Sequence, residues 1–387
     1  MASIELIGVS KKFGKVQALK NVSLEVKDKE FFVLFGPAGA GKTTILNIIA
    51  GIHVPDEGAV KINENIVNQV EPQDRDVAMV FENYALYPHM KVYDNIASPL
   101  RSPKHKKDEA YIKEAVERVA TLLKIEKFLD RLPIQLSNGQ RQRVALGRAL
   151  VRYPNVYLMD EPLAHLDAKL RNFMRGELKM IQSNFNTTAI YVTHDFMEAM
   201  SLSDRIAVIN GGEIIQVGTS DEIYYLPHNE FVAQLMGDPE INILDCVLHQ
   251  SDNGMSVSIA GFSGDLVLPF DEGVFTKLKE RKGEKVRLGL RPQNLDFSFE
   301  PKDGYIKGSV YTYETIGNKS VLTVMVNDKT EVRIVAPNGL RVKLDQDVFV
   351  KLDFSRSIFF DDESTQFICR YDEDAVRALA TEKEEEA

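Results

Sequence analysis

The stretch Phe31-Phe32-Val33-Leu34-Phe35-Gly36-Pro37-Ala38-Gly39-Ala40-Gly41-Lys42-Thr43-Thr44 runs from an unbroken apolar segment into glycines and a Lys-Thr-Thr end. A short apolar run bounded by glycine suits a strand buried on both faces at the centre of a parallel sheet. The residues that follow satisfy the G-x-x-x-x-G-K-[ST] pattern of a phosphate loop opening a helix. Glycines in such a loop let backbone N–H groups converge on phosphate oxygens, and the helix behind it aims its positive end at them. Gly36, Pro37, Ala38, Gly39, Ala40, Gly41 and Thr44 are expected to line ATP, Lys42 to reach its β- and γ-phosphates, and Thr43 to ligate Mg²⁺.

On either side of this loop the chain alternates strand-like and helix-like patterns. Ile4 to Val9 and Val22 to Val26 alternate apolar with polar, as half-buried strands do. Short buried runs recur at Val77 to Phe81, Val156 to Met159, Ala189 to Val192 and Arg205 to Ile209. Helical periodicity spans Asp108 to Leu123, Gln140 to Arg152 and Ala168 to Asn184. These predict an α/β sheet with parallel strands at its centre. After about Asn229 the character changes: Phe231 to Met236 reads as a short helix, and Gly237-Asp238-Pro239 breaks the chain. Beyond Ile241 come short β-like segments at Lys285 to Leu290, Tyr305 to Tyr311, Ser320 to Val326, Thr330 to Ala336 and Asp347 to Phe354. They predict a small barrel of the oligonucleotide/oligosaccharide-binding type. Residues 380–387, with their Glu384-Glu385-Glu386 run, read as a frayed acidic tail.

A chain of 387 residues is too long for one ordinary core, so two domains are expected. Lys and Arg number 47 against 57 Asp and Glu, a net charge of −10, which disfavours a broad nucleic-acid-binding surface. No apolar run approaches the roughly 18 residues of a membrane-spanning helix, and Met1 to Phe13 lacks the apolar segment of a signal peptide. A cytosolic protein is predicted, unless a partner holds it at a membrane. The two cysteines, Cys246 and Cys369, stand far apart and outside metal-ligand spacing, as reduced structural thiols do.

The run Val156 to Met159 ends in Asp160-Glu161, at the carboxyl end of a strand, where open α/β sheets bind ligands. Asp160 is expected to support Mg²⁺ and Glu161 to polarise an attacking water as general base. Alone, Asp-Glu after a strand is more often a solvated turn; the phosphate loop changes that reading. Further upstream, Leu136-Ser137-Asn138-Gly139-Gln140 followed by Arg141-Gln142-Arg143-Val144-Ala145-Leu146-Gly147-Arg148-Ala149-Leu150 resembles the signature motif of ABC ATPases. Independently of the resemblance, Ser137 reads as a helix N-cap.

The resemblance covers most of the chain. It implies an ABC ATPase domain over residues 1–236 with a helical subdomain at about 88–153, and a regulatory or dimerisation barrel of the TOBE type over 237–379. Ala164-His165-Leu166-Asp167 matches the family's D-loop, and His194 its switch histidine, expected at the γ-phosphate. Phe13 corresponds to the family's adenine-stacking aromatic; from the residues alone it reads as core or as stacking platform. Ser137, Asn138, Gly139, Gln140 and Asp167 join the implied ATP-binding set. Phe81 to Met90 resembles the Q-loop region of importer ATPases, whose Tyr84, Ala85, Leu86, Tyr87, Pro88 and Met90 would form core or a groove for a permease helix. Two departures from the family pattern stand out: Glu82 where a glutamine is usual, and Asn138 where a glycine is usual. Glu82 is carried as a catalytic and Mg²⁺-ligating candidate, and the pair suggests either a chain adapted to work beside a different ATPase subunit or tolerated drift.

Gly237 to Asn242, Gly289 to Pro292 and Asp361 to Glu363 resemble landmarks of maltose-type and glycerol-phosphate-type carbohydrate importers. Importers of polyamines, sulfate, phosphonates or iron use similar barrels. The implied function is ATP hydrolysis by a dimer on the cytoplasmic face of integral-membrane permease subunits. An extracytoplasmic solute-binding protein is the indirect partner, and the second ATPase subunit is identical or a paralogue. The runner-up is a mainly structural or regulatory nucleotide-binding subunit. A soluble ABC protein of translation or chromosome maintenance, or a metabolite kinase or GTPase, fits less of the string.

Overall fold

Strict alternation in the first residues produces a hairpin, β1 (Ile4–Phe13) and β2 (Val16–Val26), longer than the patterned segments alone. The computed structural model describes residues 2–376 apart from 186, 252–253, 260–265, 282–284, 318 and 374–375. The expected acidic tail at 380–387 lies outside the described residues. The hairpin joins β4 (Glu57–Ile62) and β5 (Asn65–Ile66) in an antiparallel sheet ordered β2-β1-β4-β5. Behind it lies the central sheet. Its strands are β3 (Phe31–Phe35), β6 (Val77–Val80), β7 (Val156–Asp160), β8 (Thr188–Thr193), β9 (Arg205–Asn210) and β10 (Glu213–Gly218), in the order β10-β9-β3-β8-β7-β6. All its pairings are parallel except β10 with β9. Every residue of β3, β7 and β8 is buried, which is why they read as continuous apolar runs and not as alternation.

Helix α1 (Lys42–Ala50) follows β3 and buries Ile45, Leu46, Ile48 and Ile49 in the core between the two sheets. Between β6 and β7 the chain makes α2 (Val92–Arg101), α3 (Glu109–Leu122) and α4 (Asn138–Leu150), packed on one another. Asp108 caps α3, its carboxylate accepting from Tyr111 N at 2.8 Å. Helices α5 (Ala168–Phe185) and α6 (Phe196–Leu202) flank β8 in sequence.

The chain divides into two compact units between Ser220 and Asp221, ahead of the expected 236/237 boundary. The reason is non-local. Helices α7 (Ser220–Tyr225) and α8 (Glu230–Leu235) are tied to the second unit through Arg291, whose guanidinium donates to the carbonyls of Tyr224, Ala233 and Met236. Ala233 also packs with Ile241, Ile358 and Phe360.

The second unit is antiparallel throughout. One sheet runs β13-β12-β11-β14-β20-β21, from β11 (Asn242–Ser251), β12 (Gly254–Ile259), β13 (Leu266–Val267), β14 (Lys285–Leu290), β20 (Ile358–Asp361) and β21 (Phe367–Arg370). The other runs β15-β19-β16-β17-β18, from β15 (Asp296–Ser298), β16 (Ile306–Ile316), β17 (Lys319–Met325), β18 (Glu331–Ala336) and β19 (Asp347–Lys351). Both sheets turn alternate residues into one core that includes Leu244, Val257, Leu288, Leu322, Ile334 and Val350. Two antiparallel sheets around one core are consistent with the expected barrel-type, TOBE-like domain. Helix α9 (Glu272–Lys279), capped by Asp271, was not legible beforehand.

Candidate active site

Strands β3, β8, β7 and β6 lie side by side and parallel, with Phe35 paired to Thr193, Val192 to Asp160 and Met159 to Val80. Neighbouring strands are spaced by about 4.8 Å, so the ends of all four fall within roughly 15 Å. Each end carries one expected group: the phosphate loop after β3, His194 after β8, Asp160 and Glu161 at β7, and Glu82 just past β6.

Two glycines of the loop are sterically obligatory. A Cβ on Gly36 would sit 2.2 Å from the carbonyl oxygen of Ile209, and Gly41, the N-cap of α1, has φ 108°. Lys42 is buried, its Nζ donating to the loop's own carbonyls at Gly36 (2.8 Å) and Pro37 (2.9 Å). Burial lowers its pKa, opposed by the negative charges of Glu161, Asp160 and Glu82. The ammonium therefore sits in the loop before any phosphate arrives.

Asp160 is 2% exposed, and burial pushes its pKa up to about 6 despite a hydrogen bond from the Thr43 side chain; Glu82 and Glu161 raise it further. Its Oδ1 is buried with no hydrogen-bond partner. An orphaned carboxylate oxygen beside a threonine hydroxyl is a donor set that suits a hard divalent cation. Among the described residues no cluster of three or more His, Cys, Asp or Glu side chains is arranged to hold a metal. Thr43 and Asp160 could each offer a cation one oxygen here, and Glu82, whose charge acts on Asp160, remains a candidate third ligand.

Glu161 adopts φ 45°, a left-handed conformation that costs a non-glycine residue about 1 kcal/mol. Its N–H donates to Val192 O at 3.1 Å, and its Oε1 lies 2.9 Å from His194 Nδ1. The carboxylate side chain is 20% exposed and the histidine 62%, so both face the open edge. Gln142, a residue the sequence reading did not single out, holds this turn in place. Its Nε2 donates to Glu161 O at 3.0 Å while its Oε1 accepts from His165 N at 2.9 Å. Gln142 shares one stripe of α4 with Ala145, Leu146 and Ala149, all buried. A polar residue on an apolar stripe was the available signal.

The Ser137 reading holds: Ser137 Oγ accepts from Gln140 N at 3.3 Å and Gln140 Oε1 from Ser137 N at 3.0 Å, a capping box. Gly139 is required, since a Cβ there would meet His165 O at 2.9 Å. Asn138 is exposed, and its side chain meets no such obstacle. Asp167 caps the start of α5, accepting from Leu170 N at 3.0 Å. Phe13 is 42% exposed at the end of β1, with the Lys11 ammonium 5.6 Å from its ring, so it is not core.

Glu82 is exposed, and its charge registers on both Lys42 and Asp160. The two residues after Asn83, Tyr84 (φ 67°) and Ala85 (φ 43°), are also left-handed. Arg148 of α4 pins them, donating to Tyr84 O at 3.0 Å and Ala85 O at 2.6 Å. Of the apolar groove expected at 84–90, Ala85 and Tyr87 line a cleft of about 840 Å³ with Phe81, Pro99 and Arg148, while the Tyr84 ring turns instead to the edge of His165.

A phosphate loop and acidic residues at the carboxyl edge of a parallel sheet are what a phosphate-loop nucleoside triphosphatase presents. The family model described as ABC transporter matches residues 19–164. The trehalose/maltose import ATP-binding protein MalK of Thermococcus litoralis is 45% identical over 372 residues, spanning 93% of this chain and 98% of that one. The sn-glycerol-3-phosphate import ATP-binding protein UgpC of Brucella abortus is 52% identical over 245 residues, 63% of this chain and 69% of its own. A dimeric ATP-binding cassette solved in a post-hydrolysis state with ADP and Pi aligns with 31% identity and a TM-score of 0.53 over 56% of this chain and 98% of that chain. The chain belongs to the ABC transporter family, as an ATP-binding ATPase subunit that energises an importer.

Proposed function

We propose that two such ATPase subunits drive a carbohydrate importer from the cytoplasmic face of its permease. The observation that carries the chemistry is the row of four parallel strand ends bearing Lys42, His194, Asp160 with Glu161, and Glu82. In this reading the loop N–H groups and Lys42 hold the β- and γ-phosphates of ATP. Thr43 and Asp160, with Glu82 as a further candidate ligand, would hold Mg²⁺, which would offset charge on those phosphates. Glu161 takes a proton from the attacking water as its oxygen bonds to the γ-phosphorus and the bond to the bridging oxygen breaks. His194, held at 2.9 Å by Glu161, orients that carboxylate and contacts the γ-phosphate. Glu82 adds negative charge to the edge and slows this step.

Ser137, Asn138, Gly139, Gln140 and Asp167 act on the nucleotide of the facing subunit, and Phe13 stacks on adenine. The cleft at Ala85 and Tyr87 suits a short permease helix, and the Arg148 contacts to Tyr84 and Ala85 would transmit its push to Glu82. Among the described residues no helix is long and apolar enough to cross a membrane, so this reading relies on partners to reach it. Carbohydrate is favoured because the relatives at 45% and 52% identity are named for trehalose, maltose and sn-glycerol-3-phosphate import. Nothing favours a mainly regulatory subunit.

The test is to isolate the chain with its membrane partners, reconstitute the complex and measure ATPase stimulation and uptake. Trehalose, maltose and sn-glycerol-3-phosphate would be compared with a polyamine and sulfate. Stimulation by a carbohydrate is expected; stimulation confined to a non-carbohydrate solute would overturn the assignment.

A further inference from the structure

The second unit encloses a cavity of about 140 Å³ walled by Arg291, Arg356 and Arg370, with Tyr224, Tyr225 and Gln293 beside them. Guanidinium groups repel one another, and burying one without a countercharge is unfavourable. Arg291 is 4% exposed and meets no carboxylate among the described residues. Its Nη1 donates to Ala233 O (2.9 Å) and Met236 O (2.6 Å), and its Nη2 to Tyr224 O (2.7 Å). Those bonds cap the end of α8 and explain part of the burial. They leave Nε–H buried without an acceptor and one Nη2–H uncommitted. Burial draws the Arg291 pKa down to about 10, so the group is still cationic at neutral pH.

Arg370, also 4% exposed, donates from Nη1 to Tyr225 O at 2.8 Å, from Nε to Tyr371 O at 2.9 Å and Asp372 Oδ1 at 3.1 Å, and from Nη2 to Asp372 Oδ1 at 2.7 Å. Arg356 is exposed and makes no ion pair among the described residues. Tyrosine rings cover the guanidinium faces, Tyr224 at 4.0 Å from Arg291 and Tyr225 at 5.4 Å from Arg370. Helix capping accounts for Arg291, and Asp372 with the carbonyls of Tyr225 and Tyr371 for Arg370, but one carboxylate stands against three cations on the same wall and Arg356 has no ion pair among the described residues.

We infer that this cavity binds a small oxyanion: inorganic phosphate, or the phosphoryl group of a small phosphate ester. Phosphate oxygens match the fork of guanidinium N–H donors, the Nη2–H of Arg291 that the Tyr224 carbonyl leaves over supplies one donor, and the exposed Arg356 on the cavity wall supplies more. The volume is well below the roughly 300 Å³ at which sites for drug-sized ligands begin, so a nucleotide is excluded. The site lies in the barrel-type unit, apart from the sequence that carries the phosphate loop.

The test uses the full-length chain with its phosphate loop filled by Mg²⁺ and a non-hydrolysable ATP analogue, so that anion binding there is blocked. Inorganic phosphate and glycerol phosphate are each titrated by calorimetry at constant ionic strength. Saturable binding is expected, weakened about tenfold or more by Arg356→Ala, the loss of one charge-assisted contact, and abolished by Arg356→Glu. Because Arg356 is exposed and unpaired, both variants should melt as the parent does. Tighter binding of the ester would identify a phosphorylated metabolite as the ligand, equal or weaker binding the free ion. Binding unchanged in Arg356→Glu, or no saturation by either anion at about 10 mM, would overturn the assignment.

Discussion

Truncating Gln142 to alanine tests whether α4 sets the turn at Glu161, the proposed general base. The side chain is 2% exposed and joins two backbone groups, Glu161 O at 3.0 Å and His165 N at 2.9 Å. Gln142→Ala leaves a part-buried carbonyl and a part-buried N–H without their side-chain partner and opens a cavity at a buried position, at about 1 to 3 kcal/mol in total. For a unit of this size that lowers Tm by roughly 3 to 9 °C. The kinetic effect should be larger than the stability effect suggests. Glu161 is held at φ 45° against its own preference, so releasing its carbonyl lets the carboxylate drift. A misplacement of about 1 Å costs on the order of 100-fold in rate. The expected result is kcat down by about 10- to 100-fold with KM for ATP within about twofold, since the side-chain hydrogen bonds of Gln142 among the described residues go to Glu161 O and His165 N and not to the phosphate loop. Steady-state ATPase assays at a temperature where both proteins are folded separate the two effects. A kcat within about twofold of the parent, alongside the lowered Tm, would refute the positioning role and leave Gln142 a structural residue.

Asp160 has a folded-state pKa of about 6 against an ordinary 3.8, so its ionised form is disfavoured in the nucleotide-free fold above about pH 6 and the penalty fades as pH falls toward 3.8. Asp160→Asn should stabilise the nucleotide-free protein at about pH 7.5 by up to roughly 3 kcal/mol, with the gain shrinking to about a third near pH 4.5. Thermal melts across that range check it, and destabilisation at the higher pH would contradict the burial argument. Glu82→Gln removes a negative charge that both Lys42 and Asp160 feel, and is expected to raise the ATPase rate of the purified complex without loss of uptake. An unchanged rate, with full activity of a homodimer of this chain, would remove the case for unequal sites.

What could be read beforehand was local chemistry. The run Phe31 to Thr44 announces strand, loop and helix because each residue's backbone role is set by its immediate neighbours, and Gly36 and Gly41 stand where only glycine fits. Asp160, Glu161 and His194 could be placed at strand ends beforehand because Asp160 closes one fully buried strand, Glu161 follows it and His194 follows another, and parallel strands deliver their carboxyl ends to one edge. What escaped depends on pairings distant in sequence. The break at Ser220 is fixed by Arg291 reaching back to Tyr224, Ala233 and Met236, and no property of residues 221–236 alone announces it. Gln142 joins two turns far along the chain, and the arginine cavity gathers residues from four separate segments. Phe13 remained ambiguous because a strand end pairs as core or as edge with the same composition, and its exposure is a tertiary fact.

Glu161→Gln in the complex reconstituted with its permease bears most directly on the account as a whole. The substitution keeps the size of the side chain and a hydrogen bond to His194, but removes the carboxylate that would accept the proton of the attacking water. ATPase rate and solute uptake are measured together with nucleotide occupancy. Both activities should fall by roughly 100- to 10,000-fold while ATP remains bound and the dimer stays closed. Retention of most of the parent ATPase rate would show that Glu161 is not the base and that the arrangement at the strand ends has been misread.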